Sequence, residues 1–433
     1  MVIAAEIWIW DQLVGAVLWD ERQQVGRFEF NQEFLRSGLD LSPIKMPLAQ
    51  GGRVFSFPEL RKSRGDVFDT FKGLPGLLAD MLPDKYGSQL INTWLQQNGR
   101  PADSLNPVEQ LCFIGKRGVG ALEIKPSLRT ELSRATNIEV DSLVHIAGKI
   151  LNARVGFGSD LSSQEQSALA DILKIGTSAG GARAKAVIAY NPKTGAVKSG
   201  QVKAPKGFSY WIIKFDGVHD SQFGVTLGYG RVEMAYYLMA LEAGIEMNES
   251  QLLEENGRAH FMTKRFDRTN DGQKIHMQSL CGIRHFDFNR VGEFSYEQVF
   301  ETMRMLRCTY PEAEQMFIRM VFNVFARNCD DHTKNFAFLM DQTGKWTLSP
   351  AYDICHAYRP GSIWVSSQSL TVNGKRDGIS ETDFLEVARK MNIKKPEEKI
   401  AKVTDAIRRW EEFAAQVGVE EKLKSGIKKT LLV

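Results

Sequence analysis

The sequence predicts an α+β protein built from three units in order: an N-terminal α/β subdomain over residues 1–125, a small α/β lobe over 126–274 and a helical lobe over 275–433. Three observations lead there. Strands that alternate bulky apolar with other residues open the chain and recur through its middle, and amphipathic helices fill its last third. The 433 residues are too many for one ordinary core, so two or three packed units are expected. A strand-rich lobe followed by a helical one is the layout of a two-lobed catalytic body, here with an added N-terminal domain.

The first unit starts with "EIWIWDQLVGAVLWD" and "GRFEFN", whose alternation reads as strands. After a stretch rich in Gly, Pro and Ser, Leu82, Tyr86, Leu90 and Trp94 recur at helical spacing before Gly99. "IGKRGVGALEI" reads as a loop feeding a strand, and the polar "KPSLRTELSRATNIEVD" is the expected boundary. The second unit has a helix in "VDSLVHIAGKIL", a small-residue loop running into a strand in "GTSAGGARAKAVIAY", a turn in "NPKTGAVKSG" and a second apolar strand in "YWIIKFDG". The helix "VEMAYYLMALEAGI", closed by Gly244, and the strand "AHFMTKRFDR" complete it. The third unit holds helices in "YEQVFETMRMLR", "EAEQMFIRMVFNVFARN", "TDFLEVARKM" and "EKIAKVTDAIRRWEEFAAQVG".

Lys plus Arg exceed Asp plus Glu by only 55 − 52 = 3, so composition carries no general polyanion-binding signal. The N-terminus meets acids at Glu6 and Asp11 and alternates, unlike a secretory leader, and no run of 18 apolar residues occurs. A cytoplasmic protein is expected. Cys112, Cys281, Cys308, Cys329 and Cys355 are odd in number and lack any C-x-x-C pairing, which argues against a disulfide framework and a thiolate zinc site.

The stretch "NCDDHTKNFAFL", Asn328 to Leu339, gathers two carboxylates, an imidazole, an ammonium and an amide. Phe317, Met320, Val321 and Val324 form one face of the helix before it, which Asn328 can stop, and "NFAFLMD" and "KWTLSP" read as strands joined by a turn at Gly344. A hairpin brings its outer ends together, so Asn335 and Asp353 should converge beside Asp330, offering oxygen donors suited to Mg²⁺. This is the order used by protein kinases: an Asp after a helix that accepts the hydroxyl proton, an Asn five residues on and a later Asp that hold Mg²⁺. The same chemistry asks for an N-lobe lysine and a helix carboxylate that orients it, and Lys214 in "IIKFD" and Glu233 in "RVEMAYYL" supply both. The small-residue loop "GTSAGGARAK" precedes the Lys214 strand, where a phosphate-covering loop belongs. The expected fold is therefore protein-kinase-like, with a small α/β N-lobe and a helical C-lobe.

Each residue alone has a blander reading: Asp330 and Asp331 as a solvated turn, Lys214 as an edge-strand lysine, Glu233 as a surface helix acid. Two other function classes stay open. Asp330, Asp331 and His332 are types found in metal-dependent phosphohydrolases, although consecutive loop residues point different ways. A catalytically silent kinase-fold binding or corepressor protein would be expected to lack Lys214, Asp330 or Asp353.

At these residues the chain resembles the HipA family of bacterial toxin kinases over nearly its whole length. "GLPGLLADMLPDKYGSQLI" and "GKRGVGAL" look like N-terminal segments of that family, "SAGGARAKAVI" like its P-loop-like segment, "FMTKRFDR" like its adenine-side strand, and "NCDDHTKNFAF" with "LSPAYDI" like its catalytic core. The resemblance implies a serine/threonine protein kinase using ATP and Mg²⁺. Asp330 would be the catalytic Asp, with Lys214, His332 and Lys334 also in the catalytic set, and Asn335 and Asp353 the Mg²⁺ ligands. The nucleotide would meet Ser178, Ala179, Gly180, Gly181, Ala182, Arg183 and Lys185 of the loop, Lys214 and Glu233, and Lys264, Arg265 and Phe266 beside adenine. Ser178, with Thr177 adjoining, would be autophosphorylated, and the added charge of about −1.5 to −2 would eject the loop from the similarly charged triphosphate. Asp331 stands where the best-known member has Gly, and Ala184 where many relatives have Pro. The family's characterised substrate is glutamyl-tRNA synthetase, with other aminoacyl-tRNA synthetases or translation factors in relatives. Its partner is a small HipB-like helix-turn-helix antitoxin through which the complex meets operator DNA.

Overall fold

The computed structural model describes residues 3–62, 68–126, 138–152, 168, 170–173, 176, 183–200, 204–220, 224–225 and 227–433. The chain divides into two compact units, the first made of Met1–Leu41, Met46–Gly230 and Gln251–Met277, the second of Ser42–Lys45, Arg231–Ser250 and Gln278–Val433.

In the first unit, strands Ala4–Ile9, Gln12–Asp20, Val25–Phe30 and Leu122–Lys125 form an antiparallel sheet in which the Val25–Phe30 and Leu122–Lys125 strands are outermost. Alternation decides its faces: Ile7, Ile9, Val17, Phe28 and Phe30 are buried while Glu6, Ala16, Arg27 and Glu29 face solvent. In the same unit the Lys85–Gln97 helix starts at Asp84, whose side chain accepts from the Gly87 N–H.

The second sheet of this unit has five strands in the order Ser250–Glu255, Arg258–Lys264, Ser209–Lys214, Lys185–Tyr190 and Val197–Ser199. Its register sets Lys214 directly across from Lys185 on one side and Phe261 on the other. The opposite residues, Ala186, Ile188, Trp211, Ile213 and Met262, share one core with Leu143, Ile146 and Ala147 of the Val140–Asn152 helix and with Tyr86 and Leu90 of the Lys85–Gln97 helix. Residues from the N-terminal subdomain and from the small lobe thus bury one another's apolar faces, which is why they form a single unit.

A charged cluster adds a second tie. Asp267 is fully buried, takes two hydrogen bonds from Arg265 at 2.7 and 2.6 Å and one from Arg268 at 2.9 Å, and accepts the Gly120 N–H at 2.8 Å. Arg268 also donates to the Gly118 and Gly120 carbonyls, and Lys274 donates to the Lys116 carbonyl and pairs with Glu123 at 2.9 Å. The "GKRGVG" loop is therefore held by the chain just past the Lys264 strand. Burial alone would raise the Asp267 carboxyl, but the two guanidinium groups hold it well below the usual range.

The second unit is mainly helical. The Tyr310–Phe325 helix buries Met316, Phe317, Met320, Val321 and Val324, and strands Ala337–Met340 and Trp346–Leu348 pair antiparallel around a turn whose Gly344 has φ +83°. Asn328 does not stop the helix. It ends at Ala326, Arg327 takes the left-handed conformation at φ +56°, and Asn328 is already extended in a bridge with Ala357. The Tyr229–Glu242 helix is followed by Gly244 at φ +90°, as its pattern predicts. The expected last helix is broken at Arg409 into Pro396–Arg408 and Trp410–Gln416. All five cysteines are free, and among the described residues no helix is long and apolar enough to cross a membrane.

Replacing Asp267 by alanine strands two buried guanidinium groups without their carboxylate. The expected loss is about 3–5 kcal/mol of unfolding free energy, measurable by urea titration; a loss under about 1 kcal/mol would mean the cluster does not hold the loop.

Candidate active site

The predicted residues fall into both units. In the second, the Tyr310–Phe325 helix delivers the chain into the loop that carries Asp330 and Asp331, and the two carboxylates have opposite fates. The Asp330 side chain is 47 % exposed. Asp331 is 0 % exposed and accepts from the Tyr296 hydroxyl at 2.8 Å, the Gln368 amide at 2.9 Å and the Ser369 N–H at 2.6 Å, with Leu370 N–H as a further donor. An ionised carboxylate only accepts, so this ring of donors suits it. Burial nevertheless pushes its carboxyl up to about 6, against the pull of those hydrogen bonds.

The network extends outward. Asn323 donates to the Tyr296 hydroxyl at 3.0 Å, Asn328 donates to the Asn323 amide oxygen at 3.0 Å, and Gln368 also donates to the Asn328 carbonyl. Ser369 Oγ donates to the Cys329 carbonyl and the Cys329 thiol to the Gln368 amide oxygen. Burial first, then Asp331, pushes that thiol up to about 12, so it is inert as a nucleophile. The Asn328 and Cys329 carbonyls that precede Asp330 are thereby held, while the Asp330 side chain stays half-exposed.

Asn335 ends the short 3-10 turn Thr333–Asn335 and its Nδ2 donates to the Asp330 carbonyl at 2.7 Å, which leaves its Oδ1 as the acceptor. The Tyr352 hydroxyl donates to the Lys334 carbonyl at 2.6 Å, and Asn335, Tyr352 and Ile354 line one small cavity with Asp331, Asn323, Asn328 and Arg319. The segment carrying Asp353 is thus docked against Asn335. Asp353 itself has φ +56°, a left-handed backbone that Asp tolerates better than most residues. His332 Nε2 lies 3.8 Å from Asp330 Oδ1, and its ring rests 5.2 Å from that of Phe288, over which Lys334 Nζ sits at 5.0 Å. Glu233, on the Tyr229–Glu242 helix, is 3 % exposed, so it is not a solvated surface acid.

In the first unit, Lys214 ends its strand half-buried, with Nζ 5.8 Å from the Phe261 ring. Lys185 is buried against Asp84, and the Arg183 guanidinium stacks on Tyr229 at 4.8 Å. Lys264 and Phe266 are half-buried. Arg265 gives its Nε and Nη2 to Asp267 and its backbone N–H to the Tyr210 carbonyl at 2.9 Å. Thr177, Ser178, Ala179, Gly180, Gly181 and Ala182 lie outside the described residues.

Sequence reasoning missed Tyr296 and Gln368, which lie more than thirty positions from Asp331 and carry no local signal, and Arg319, on the helix that leads into the motif. Arg319 is buried along the cavity, and burial lowers it to about 10 although Glu246, Tyr352 and Glu312 pull the other way. Asp84 was also missed. An Asp opening a helical pattern was its available sign.

Residues 177–416, more than half of the chain, match the family described as HipA-like C-terminal domain. The chain belongs to the HipA family. Residues 5–125 match the HipA N-terminal domain. A HipA chain from the Shewanella oneidensis MR-1 toxin–antitoxin complex of HipA, HipB and operator DNA superposes with TM-score 0.66, covering 99 % of this chain and 96 % of that one at 17 % identity. At that identity the likeness is one of fold, that of the HipA chain, and the fold is α+β. The Helicobacter pylori proinflammatory kinase CtkA overlaps 52 % of this chain and 88 % of its own at 13 % identity, but a TM-score of 0.31 is too low to carry an argument. Over 165 residues the chain is 26 % identical to a Sinorhizobium fredii protein named as a candidate kinase, Y4mE; the match spans 36 % of this chain and 39 % of that protein.

With its carboxyl raised to about 6, Asp331 keeps a proton in the folded protein that the unfolded chain releases near pH ~4. The stability this adds is fully present below about pH 4 and lost as pH rises through about 6. The unfolding free energy of wild type relative to Asp331→Asn should fall over that window by on the order of 2–3 kcal/mol, at about 1.4 kcal/mol per unit. Urea unfolding of both proteins across the window measures it, and a flat difference contradicts it.

Proposed function

We propose that this chain is a HipA-type serine/threonine protein kinase toxin that transfers the γ-phosphoryl group of ATP to a protein hydroxyl. The observation that supports this most is the catalytic loop: an outward carboxylate at Asp330, an amide oxygen at Asn335 fixed by the Asp330 backbone, and the Asp353 segment docked on the same turn. Phosphoryl transfer demands mainly positioning and charge neutralisation, and a loop held by these hydrogen bonds provides the first.

In this reading Asp330 accepts the proton of the substrate hydroxyl. Asn335 and Asp353 offer oxygen donors only, which fits Mg²⁺, a hard cation that takes one or two protein ligands and completes its shell with water and phosphate. When bound, Mg²⁺ would neutralise charge on the transferring phosphates. Lys214 binds ATP phosphates with Glu233 as its orienting acid, the backbone of Lys264 to Phe266 lies along adenine, and His332 and Lys334 support the loop.

The same reading assigns Ser178 as the autophosphorylated, self-limiting residue and an aminoacyl-tRNA synthetase such as glutamyl-tRNA synthetase, or a translation factor, as the substrate whose modification halts translation. A HipB-like antitoxin neutralises the toxin. The Shewanella HipA was captured with HipB and operator DNA, and the formal net charge of +3 here agrees with DNA contact made mostly through such a complex.

Asp330→Asn and Asp353→Asn should each abolish ATP-dependent labelling, by roughly a thousandfold or more, without lowering the thermal unfolding midpoint. A variant that labels at the wild-type rate removes the assignment. Ser178→Ala should stop self-labelling and spare transfer to a protein substrate; a phosphopeptide mapping to Thr177 in the wild type moves the switch to that residue.

A further inference from the structure

Lys185 and Lys214 face each other across adjacent antiparallel strands. Like charges directly opposite in a sheet repel, so this pairing needs anions. One is on the page. The Lys185 Nζ lies 3.4 Å from Asp84 Oδ2, with the two side chains 5 % and 9 % exposed. Asp84 reaches it from the N-terminal subdomain and is held from its other oxygen, since Oδ1 accepts the Gly87 N–H at 2.6 Å as the cap of the Lys85–Gln97 helix. That helix packs Tyr86 and Leu90 onto the same core as Ala186 and Ile188 of the Lys185 strand. Cap and core together leave the carboxylate no freedom to follow a moving lysine.

We propose that Asp84 is a positioning residue for the nucleotide site: it holds the Lys185 ammonium charged and in place beside Lys214, so that a nucleoside polyphosphate meets a preset pair of cations. The N-terminal subdomain then sets the nucleotide affinity of the lobe it is packed on. This rests on the kinase reading above, in which Lys185 and Lys214 serve the phosphates. The geometry separates two tasks in one carboxylate. Oδ1 serves the helix and needs only an acceptor, which Asn supplies equally well. Oδ2 serves Lys185 and needs a charge, because a carboxylate beside a buried ammonium favours its charged form.

Asp84→Asn therefore keeps the cap and removes the charge. The full-length protein is titrated with a non-hydrolysable ATP analogue and Mg²⁺, and the KM for ATP and kcat are measured alongside. For Asp84→Asn the dissociation constant and KM should rise about tenfold or more, the size of one charge-assisted contact, while kcat changes far less. Asp84→Glu, which restores the charge, should recover much of the affinity. If Asp84→Asn lowers the thermal midpoint but leaves the dissociation constant and KM at wild-type values, the residue is structural only and the inference fails while the kinase reading stands. If the wild type itself binds no analogue, the kinase reading fails and takes the inference with it.

Discussion

Four donors converge on one buried carboxylate, Asp331, and the arrangement of the second unit's loop follows from that convergence. A charge taken out of water must be met by hydrogen bonds or it is lost to protonation. Here Tyr296 comes from one helix, Gln368, Ser369 and Leu370 from the segment beyond the hairpin, and Asn323, on the helix that leads into the loop, and Asn328, just past its end, brace them. Asp331 cannot move without orphaning all four donors, and its neighbour Asp330 keeps a half-exposed side chain. Consecutive residues of the same type thus differ in burial, and the kinase reading gives the exposed one the chemical role.

The first unit uses the same device twice. Asp267 ties Arg265 and Arg268 to the "GKRGVG" loop, and Asp84 ties Lys185 to the helix it caps. The Asp84–Lys185 pair joins residues 5–125 to the small lobe directly, beside the shared apolar core of Tyr86, Leu90, Ile188 and Trp211, and the Asp267 cluster does so through its hydrogen bonds to Gly118 and Gly120. Buried pairs are weak evidence for stability in themselves; their value here is register, since each fixes where a strand end sits. One is at the start of the Lys185 strand, the other just past the Lys264 strand, the two stretches that the kinase reading gives to the nucleotide.

Much of the fold was legible in the chain. The alternation of Ile7, Ile9, Phe28 and Phe30 and the helical spacing of Phe317, Met320, Val321 and Val324 each announced an element at its observed place. Boundaries were less legible. Asn328 reads as a helix stop, yet the chain turns at Arg327 because Asn328 is needed in the bridge to Ala357 and in the bond to Asn323. The expected last helix breaks at Arg409. The candidate site was legible as a list, because Asp, Asn and Asp at fixed spacing belong to one chain segment and one hairpin.

What the sequence by itself determined is therefore local and periodic: which segments alternate, which repeat at helical spacing, and which polar groups cluster in "NCDDHTKNFAFL" and its hairpin, enough to indicate the family to which the chain belongs. Only the tertiary structure decided that Asp331 is buried and Asp330 is not, that Arg265 is consumed by Asp267, and that Lys185 is paired with Asp84. Arg265 and Asp267 are two positions apart, but the burial of Asp331 and the pairing of Lys185 turn on contacts between residues tens of positions apart or more. Burial and the choice of partner set the charge state and direction of each polar group, and neither is a property of the residues that lie beside it in the chain.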